Sequence, residues 1–425
     1  MTDPRRLHVH LEHAPDDREL VGTLGELDRG IAFEYDPAFV RAGRSLSPFK
    51  LQLAVGLQVP DAARALHGLF EDSLPDYWGR IVMDRHFTRL GRDPRRTTAL
   101  DRLAYLGRRC LGALTYHPCS EPDTAAEPLD LSQAAAECRA IYEGSVTDML
   151  PVIRRAAGSA GGARPKILVG IRGDNILSGA DDLPDTHEPW LLKFTAPGED
   201  RYCGLIEFIY SDLARAAGID MPETRLFTLA RNERCFGVRR FDRQGAARRH
   251  MHTLANLLHV DIHRSTLDYR DLLEVVVHLT RNDADVRECF RRMVFNLLTH
   301  NRDDHAKNFA FLMDRNGEWR LSPAYDLTFV EGPGGEHWMS FHGEGRTPTW
   351  HHLRQLGTAA GLELRTMLQI LDQVRAGVAR WTTAAKATKL PAAHIRDIDR
   401  RLARVAADAA LPPATASPAK RAKRP

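Results

Sequence analysis

Residues 300–312 read HNRDDHAKNFAFL, and residues 322–327 read SPAYDL. In the first stretch a dense polar cluster is followed directly by an apolar run long enough for a β-strand. Asp314-Arg315-Asn316-Gly317 then has the composition of a tight turn, so Trp319 to Leu321 is predicted to return as a second strand. A β-hairpin is therefore expected between the two polar stretches.

This hairpin is expected to bring Asp326 back beside Asp303 and Asn308. Phosphoryl transfer requires such a combination of two carboxylates and an amide. One carboxylate orients and deprotonates the attacking hydroxyl, while an Asn and a second carboxylate hold the metal that bridges the phosphates. Mg²⁺ prefers such oxygen ligands. The order Asp-x-x-x-x-Asn, hairpin, Asp is that of a protein kinase in outline. A polar helix end followed by an ordinary surface hairpin is the alternative, less favoured because charges crowded beside apolar strands need partners.

Regular apolar patterns surround this cluster. Runs of strand length occupy 167–171 and 190–194, and a helix is predicted from Leu205 to Ala216, ended by Gly218. From residue 243 onward the chain reads as mainly helical. A stripe at helical spacing leads into the polar cluster and predicts a buried helix that ends there: Val286, Phe290, Met293, Val294, Leu297 and Leu298.

A glycine-rich segment at 158–166, GSAGGARPK, directly precedes the first predicted strand of that region. Its glycines permit close approach of the backbone to a ligand, and such a turn can direct N–H groups at an anion. The segment does not have the Walker A pattern. Alone, a segment of this kind is more often a flexible loop.

Two charged positions upstream have both a functional and a structural interpretation. Lys193 lies in the middle of an apolar run, where a phosphate, or Glu207 on the following helix, would be a suitable partner; the latter would form the Lys–Glu pair of kinases. A lysine on the exposed face of a half-buried strand is the alternative. Residues 239–243, RRFDR, are a candidate connection between lobes where adenine would lie, or simply a charged strand end.

Composition excludes several other classes of protein. The 425 residues carry a formal net charge of +3, which does not indicate a nucleic-acid-binding surface. The six cysteines are scattered, which argues against a disulfide framework or structural zinc and suits a cytoplasmic protein. No signal peptide and no apolar run of roughly 20 residues is present, so no membrane contact is expected. The end of the chain, 411–425, reads as a disordered basic tail.

Taken together, the motifs resemble the HipA family, the kinase toxins of bacterial type II toxin–antitoxin systems. The matching segments run in order through nearly the whole chain: 21–24, 45–47, 69–76, 106–114, 159–166, 192–194, 240–243, 301–308 and 322–327. The resemblance implies an α+β, two-lobed protein-kinase-like fold. We expect a β-rich N-terminal subdomain at 1–120, a kinase-like N-lobe at 128–242 and a mainly helical C-lobe at 243–410.

The resemblance also implies an ATP- and Mg²⁺-dependent serine/threonine protein kinase. Asp303 would be the catalytic base, Asn308 and Asp326 the metal ligands, and Glu207 the partner of a phosphate-binding lysine. The ATP-binding residues that it implies are Ser159, Ala160, Gly161, Gly162, Lys166, Lys193, Arg240, Phe241, His305 and Lys307. Family members can inactivate themselves by autophosphorylating a serine in the phosphate loop, and the matching residue here is Ser159.

The same resemblance implies partners for this protein. Family members are commonly encoded beside a helix-turn-helix antitoxin of the HipB type, which implies such a partner here and DNA contact mainly through it. Aminoacyl-tRNA synthetases are among the known protein substrates of the family.

Asp304 stands where many relatives carry glycine, so exchanged roles for Asp303 and Asp304 stay open. Arg239 stands where some relatives have an acidic hinge residue.

Two other classes of function compete with the toxin kinase. A small-molecule kinase, such as an antibiotic or sugar phosphotransferase, uses a similar Asp, Asn and Asp geometry and differs in its acceptor. A catalytically inert kinase fold that serves only a repressor complex is the third. The intact set of Lys193, Asp303, Asn308 and Asp326 argues against that inert fold.

Overall fold

The computed structural model describes residues 5–27, 30–61, 64–120, 125–145, 151–156, 162–179, 183–263 and 267–414. Residues 415–425 of the tail predicted at 411–425, and residues 158–161 of the glycine-rich segment, which include Ser159, Ala160 and Gly161, lie outside this part of the chain. Within it, no helix is long and apolar enough to cross a membrane. The six cysteines all lie in the described residues and are free thiols.

Strands and helices both occur throughout the described residues. The strands are β1 (Arg6–Ala14), β2 (Asp17–Leu27), β3 (Gly30–Tyr35), β4 (Leu57–Gln58), β5 (Leu114–His117), β6 (Glu127–Pro128), β7 (Lys166–Arg172), β8 (Asn175–Ser178), β9 (Glu188–Lys193), β10 (Thr224–Thr228), β11 (Arg234–Arg239), β12 (Arg243–Gln244), β13 (Ala247–Arg248), β14 (His250–Thr253), β15 (Ala310–Met313) and β16 (Trp319–Leu321). The helices are α1 (Pro37–Ala42), α2 (Gly68–Glu71), α3 (Tyr77–Arg89), α4 (Ala99–Leu106), α5 (Leu131–Glu143), α6 (Pro151–Ala156), α7 (Cys203–Ala216), α8 (Leu254–Leu257), α9 (Tyr269–Thr280), α10 (Asp283–Leu298), α11 (Trp350–Ala359), α12 (Leu364–Val378), α13 (Trp381–Ala387) and α14 (Ala392–Asp408).

The described strands form four sheets, and all of their pairings are antiparallel. The N-terminal sheet has the order β4-β3-β2-β1-β5, and a six-stranded sheet has the order β10-β11-β9-β7-β8-β6. Two smaller sheets are β12-β13 and β14-β15-β16. The predicted strands at 167–171 and 190–194 are confirmed as β7 and β9, the central part of the six-stranded sheet.

The chain divides into two compact units that are discontinuous in sequence. The first combines the chain up to Phe208 with 222–262 and 309–322, and the second comprises 209–221, 263–308 and the chain from 323 onward. These units do not follow the continuous segments expected from the sequence. The reason is that β14 pairs with β15, which keeps the hairpin β15–β16 with residues 250–253 in the first unit.

The expectation of a mainly helical chain from residue 243 is wrong for residues 243–253, which contain β12, β13 and β14. Long-range pairing explains the difference, since β14 is stabilised by a strand some 60 residues further along. The predicted hairpin itself is confirmed. Its turn is closed by a hydrogen bond from Gly317 N to the Asp314 carbonyl (3.1 Å), and Gly317 has a φ of 85°, which glycine adopts without strain.

The second unit is built mainly from helices, and α10 lies at its centre. The predicted stripe is confirmed as buried: Val286, Phe290, Met293, Val294, Leu297 and Leu298 are all at most 6% exposed. Helix α10 packs against α9, α12 and α14, which explains why its apolar face is so wide. The polar cluster that follows therefore starts from a rigid, buried support.

Candidate active site

In the first unit, Lys193 and Glu207 form the ion pair that the sequence suggested. Lys193 lies at the end of β9 and Glu207 in the first half of α7, and Nζ donates to Oε1 over 2.5 Å. The two side chains are only 8% and 2% exposed. A buried charge of this kind persists only when it is paired, so the exposed-lysine interpretation is wrong.

Arg164 is a second cation on the same carboxylate. It donates to Oε2 of Glu207 (3.1 Å) and to Oε1 of Glu199 (2.8 Å). Burial works against its charge, but Glu207 and Glu199 outweigh this effect and raise the pKa of Arg164 above its ordinary value. Sequence reasoning quoted Arg164 only as part of the glycine-rich segment and gave it no role.

Lys166 lies directly opposite Lys193, because β7 and β9 pair these two residues in register. Both lysines are buried, at 3% and 8% exposure. Like charges opposite each other in a sheet are destabilising, and an anion with several oxygens would relieve this repulsion. The described end of the glycine-rich segment lies here too: a Cβ atom at Gly162 would lie 2.6 Å from Nζ of Lys166.

In the second unit, the polar cluster forms a compact loop after α10. The 3₁₀ turn Ala306–Asn308 follows Asp303, and Nδ2 of Asn308 donates to the Asp303 carbonyl over 2.7 Å. This bond fixes the amide, so that its oxygen is the side able to meet a cation. His305 Nε2 lies 3.7 Å from Oδ1 of Asp303, and Lys307 belongs to the same turn.

Asp303 and Asp304 occupy different environments, which separates their roles. The Asp304 side chain has no exposed area and accepts three hydrogen bonds, from Tyr269 OH, His337 Nδ1 and Trp338 N, each 2.8 Å long. The Asp303 side chain is 40% exposed. The Asp304 carboxylate is therefore bound within the loop, whereas the Asp303 carboxylate is partly exposed to solvent.

The hydrogen bonds behind Asp304 continue into α9 and α10. Asn301 Nδ2 donates to Asn296 Oδ1 (2.9 Å), and Asn296 Nδ2 donates to Tyr269 OH (3.0 Å). Burial, with Asp304 nearby, raises the pKa of Tyr269 well above its ordinary value, so the phenol stays a donor to Asp304. Sequence reasoning missed Tyr269 and His337, since nothing local marks either as a partner of the loop.

Asp326 has a φ of 54°, a conformation that residues other than glycine adopt mainly where the surroundings impose it. The preceding residue ties this segment to the loop, because Tyr325 OH donates to the Lys307 carbonyl over 2.7 Å. Tyr325, which precedes Asp326, is thus in contact with Lys307, which precedes Asn308. No group of three or more His, Cys, Asp or Glu ligands occurs among the described residues. An amide and a carboxylate, such as those of the predicted metal ligands Asn308 and Asp326, are of the type that binds Mg²⁺ together with waters and phosphate oxygens.

Arg240, one of the predicted ATP-binding residues, has its guanidinium bound within the protein. Its guanidinium forms a bidentate ion pair with Asp242, at 3.0 Å and 2.8 Å, and both side chains are 4% exposed. Arg243 and the Gly112 N–H bind the same carboxylate, each at 2.8 Å. Burial would raise the pKa of Asp242, but Arg240 and Arg243 hold it well below its usual value. The Arg240 guanidinium is thus held by a buried carboxylate, and its predicted contact with ATP stays a prediction. Phe241 is half-buried beside it and keeps its predicted role as an expectation.

The chain belongs to the HipA family. Residues 158–382 match the family model of the HipA-like C-terminal domain, and residues 15–117 match that of the HipA N-terminal domain. Two curated relatives carry kinase names. Y4dM of Sinorhizobium fredii is 31% identical over 53% of this chain, and a Haemophilus influenzae protein is 25% identical over 40% of it. These alignments cover 55% and 52% of the two relatives, so the chain spans about half of their length.

Two longer matches concern HipA of Shewanella oneidensis. The protein named as the serine/threonine-protein kinase toxin HipA is 24% identical over 71% of this chain and 70% of its own length. A solved complex of HipA, HipB and operator DNA from that organism matches with a TM-score of 0.68 at 18% identity, over 95% of this chain and 96% of that one. The predicted α+β fold of the HipA type is confirmed.

Proposed function

We propose that this protein is an ATP- and Mg²⁺-dependent serine/threonine protein kinase that acts as the toxin of a type II toxin–antitoxin module. The observation that carries the proposal is the buried ion pair between Lys193 and Glu207, at 2.5 Å. Protein kinases need this pair in place for phosphoryl transfer. Family membership and the kinase names of relatives support the same activity.

The residues of the first unit would bind the phosphates of ATP. Lys193 is held by Glu207, and Lys166 lies opposite it in the sheet, so we expect both lysines to contact the polyphosphate of ATP. Ser159, Ala160 and Gly161 would supply backbone N–H groups, and Gly162 would allow the backbone to approach the phosphates closely. His305 and Lys307 are the other side chains predicted to contact ATP.

The residues of the second unit would act on the acceptor and the metal. Asp303 would accept the proton of the attacking hydroxyl, since its carboxylate is exposed and Asp304 is fully occupied. Asn308 and Asp326 would hold Mg²⁺, which when bound neutralises charge on the phosphate oxygens. Little covalent chemistry is left to the protein, so the precision of these positions would determine the rate.

Regulation and partners form the second part of the proposal. Ser159 is the proposed site of inactivating autophosphorylation. A helix-turn-helix antitoxin of the HipB type is the proposed partner, because the relative of known structure forms a complex with HipB and operator DNA. DNA would then be contacted mainly through the antitoxin. An aminoacyl-tRNA synthetase is the first protein substrate to test, and the module would act in the cytoplasm.

Labelling of acceptors tests the proposed function. The purified protein would be incubated with Mg²⁺, γ-labelled ATP and either a dialysed bacterial protein extract or a panel of aminoglycosides and sugars. We expect label in proteins, loss of it in Asp303→Asn and Asp326→Asn, and retention in Asp314→Asn, whose carboxylate lies in the turn between β15 and β16. Label only in the metabolite panel would instead establish a small-molecule phosphotransferase. No label in either would support an inert kinase fold.

A further inference from the structure

Three hydrogen bonds join the start of α3 to the end of the glycine-rich segment within the first unit. Oδ2 of Asp76 accepts from Gly162 N over 3.0 Å, and Trp78 N donates to the Gly162 carbonyl over 3.4 Å. The indole Nε1 of Trp78 donates to the Lys166 carbonyl over 2.8 Å. Segment 76–78 therefore holds both ends of the turn that leads into β7.

The use of Asp76 is unusual for its position. It is the N-cap residue of the 13-residue helix α3, where an aspartate ordinarily accepts from an N–H of its own first turn. Here the side chain makes no such bond. Oδ2 of Asp76 accepts from Gly162 N instead, and the Gly162 carbonyl accepts from Trp78 N. The helix and the turn thus cap each other reciprocally.

Gly162 is the residue through which this contact reaches the phosphate-binding lysines. It has a φ of 93°, and a Cβ atom there would lie 2.6 Å from Nζ of Lys166. The backbone of Gly162 therefore lies directly against the ammonium group. Lys166 in turn is the register partner of Lys193 across β7 and β9. A shift of Gly162 would move one of the two cations that face each other.

We propose that Asp76 and Trp78 are positioning residues for ATP: they hold Gly162 and Lys166 in the arrangement that binds the nucleotide phosphates. Both residues lie in the part of the chain that matches the HipA N-terminal domain, whereas Gly162 and Lys166 lie in the part that matches the C-terminal domain. The N-terminal domain thus takes part in nucleotide binding. This inference rests on the proposed kinase function.

The test measures the dissociation constant of ATP, in the presence of Mg²⁺, by isothermal titration calorimetry on the full chain. Asp76→Ala removes one hydrogen bond to Gly162 and should weaken ATP binding roughly five- to tenfold. Asp76→Asn keeps an acceptor oxygen and should bind ATP within about twofold of the native protein. Trp78→Phe keeps an aromatic ring without the indole donor and should show a loss similar to that of Asp76→Ala.

A matched control separates positioning from helix stability. Asp130 is the N-cap of α5 and does accept from its own first turn, from Gln133 N over 2.8 Å. Asp130→Ala should therefore lower the melting temperature while leaving the ATP dissociation constant unchanged. In kinetic assays, Asp76→Ala should raise KM for ATP while kcat stays within about twofold, because Asp303 and its loop are untouched.

The outcomes distinguish this inference from the proposed function. If the native protein does not bind ATP, the proposed function fails, and the inference fails with it. If the native protein binds ATP and both Asp76→Ala and Trp78→Phe bind it equally well, only the inference is overturned. Should Asp76→Ala not fold, Trp78→Phe and the recovery in Asp76→Asn decide the question.

Discussion

Replacement of Asp304 by asparagine should lower the free energy of unfolding by about 3 kcal/mol, whereas the same change at Asp303 should leave it nearly unchanged. Oδ2 of Asp304 accepts from Tyr269 OH and from His337 Nδ1, and Oδ1 accepts from Trp338 N. An asparagine whose Oδ1 still accepts from Trp338 N directs its NH₂ group at Tyr269 OH and His337 Nδ1. Both of these groups are donors to Asp304 in the native protein. Because the Asp304 side chain has no exposed area, bulk solvent cannot replace the lost acceptor.

The magnitude follows from counting these bonds. A hydrogen bond to a charged acceptor contributes about 1.5–3 kcal/mol. The Tyr269 hydroxyl can rotate and accept from the new NH₂ group, so that one bond is weakened and the bond from His337 is lost outright. About 3 kcal/mol results. At Asp303 the side chain is 40% exposed, and exposed substitutions usually change stability by about 0.5 kcal/mol or less.

Urea unfolding, followed by tryptophan fluorescence, and label transfer from ATP would be measured on the same preparations of both variants. We expect Asp304→Asn to unfold at lower urea concentration and Asp303→Asn to lose label transfer with an unchanged unfolding midpoint. An Asp304→Asn variant as stable as the native protein would refute the structural role of Asp304. Full label transfer by Asp303→Asn would refute its role as the base.

Three further predictions concern the first unit. Lys193→Met should reduce label transfer at least about a hundredfold, as for other preorganised transition-state contacts, measured as initial rates. Arg240→Met should lower the melting temperature without changing KM for ATP, because its guanidinium is bound by Asp242; a raised KM would restore its predicted ATP contact. Burial lowers the pKa of His250 to about 3. Since the unfolded histidine takes up a proton below about pH 6.5, His250 should lower stability by about 1.4 kcal/mol per pH unit between pH 6 and pH 4. Urea titrations of His250→Gln should therefore give a slope that is shallower than the native one by about this amount.

Elements with a strong local signal could be predicted from the sequence. The stripe of α10 repeats at helical spacing over many residues, and Asp314 to Gly317 are typical turn residues, so helix and hairpin were both identified. Lys193 was identified because a charge inside an apolar strand needs a partner, and Glu207 lies within the next helix. In each case the informative residues are close together in the chain.

The polar contacts that join distant segments could not be predicted in this way. Asp242 binds Gly112 N, 130 residues away, and Asp76 binds Gly162 N, 86 residues away. A single aspartate carries no periodic signal that names its partner, and the same residue type is common in exposed turns. Arg240 shows the consequence: it was expected at the nucleotide, but its charge is bound by Asp242. The pairing of β14 with β15 was missed for the same reason.

The central claim is that Asp303 and its loop transfer phosphate from ATP to a protein hydroxyl. The most direct test counts phosphates on the intact chain by mass spectrometry, after protein first treated with a phosphatase is incubated with ATP and Mg²⁺. We predict a gain of phosphate at Ser159 in the native protein, and none in Asp303→Asn or when Mg²⁺ is chelated. Equal phosphate on the native protein and Asp303→Asn would contradict the claim.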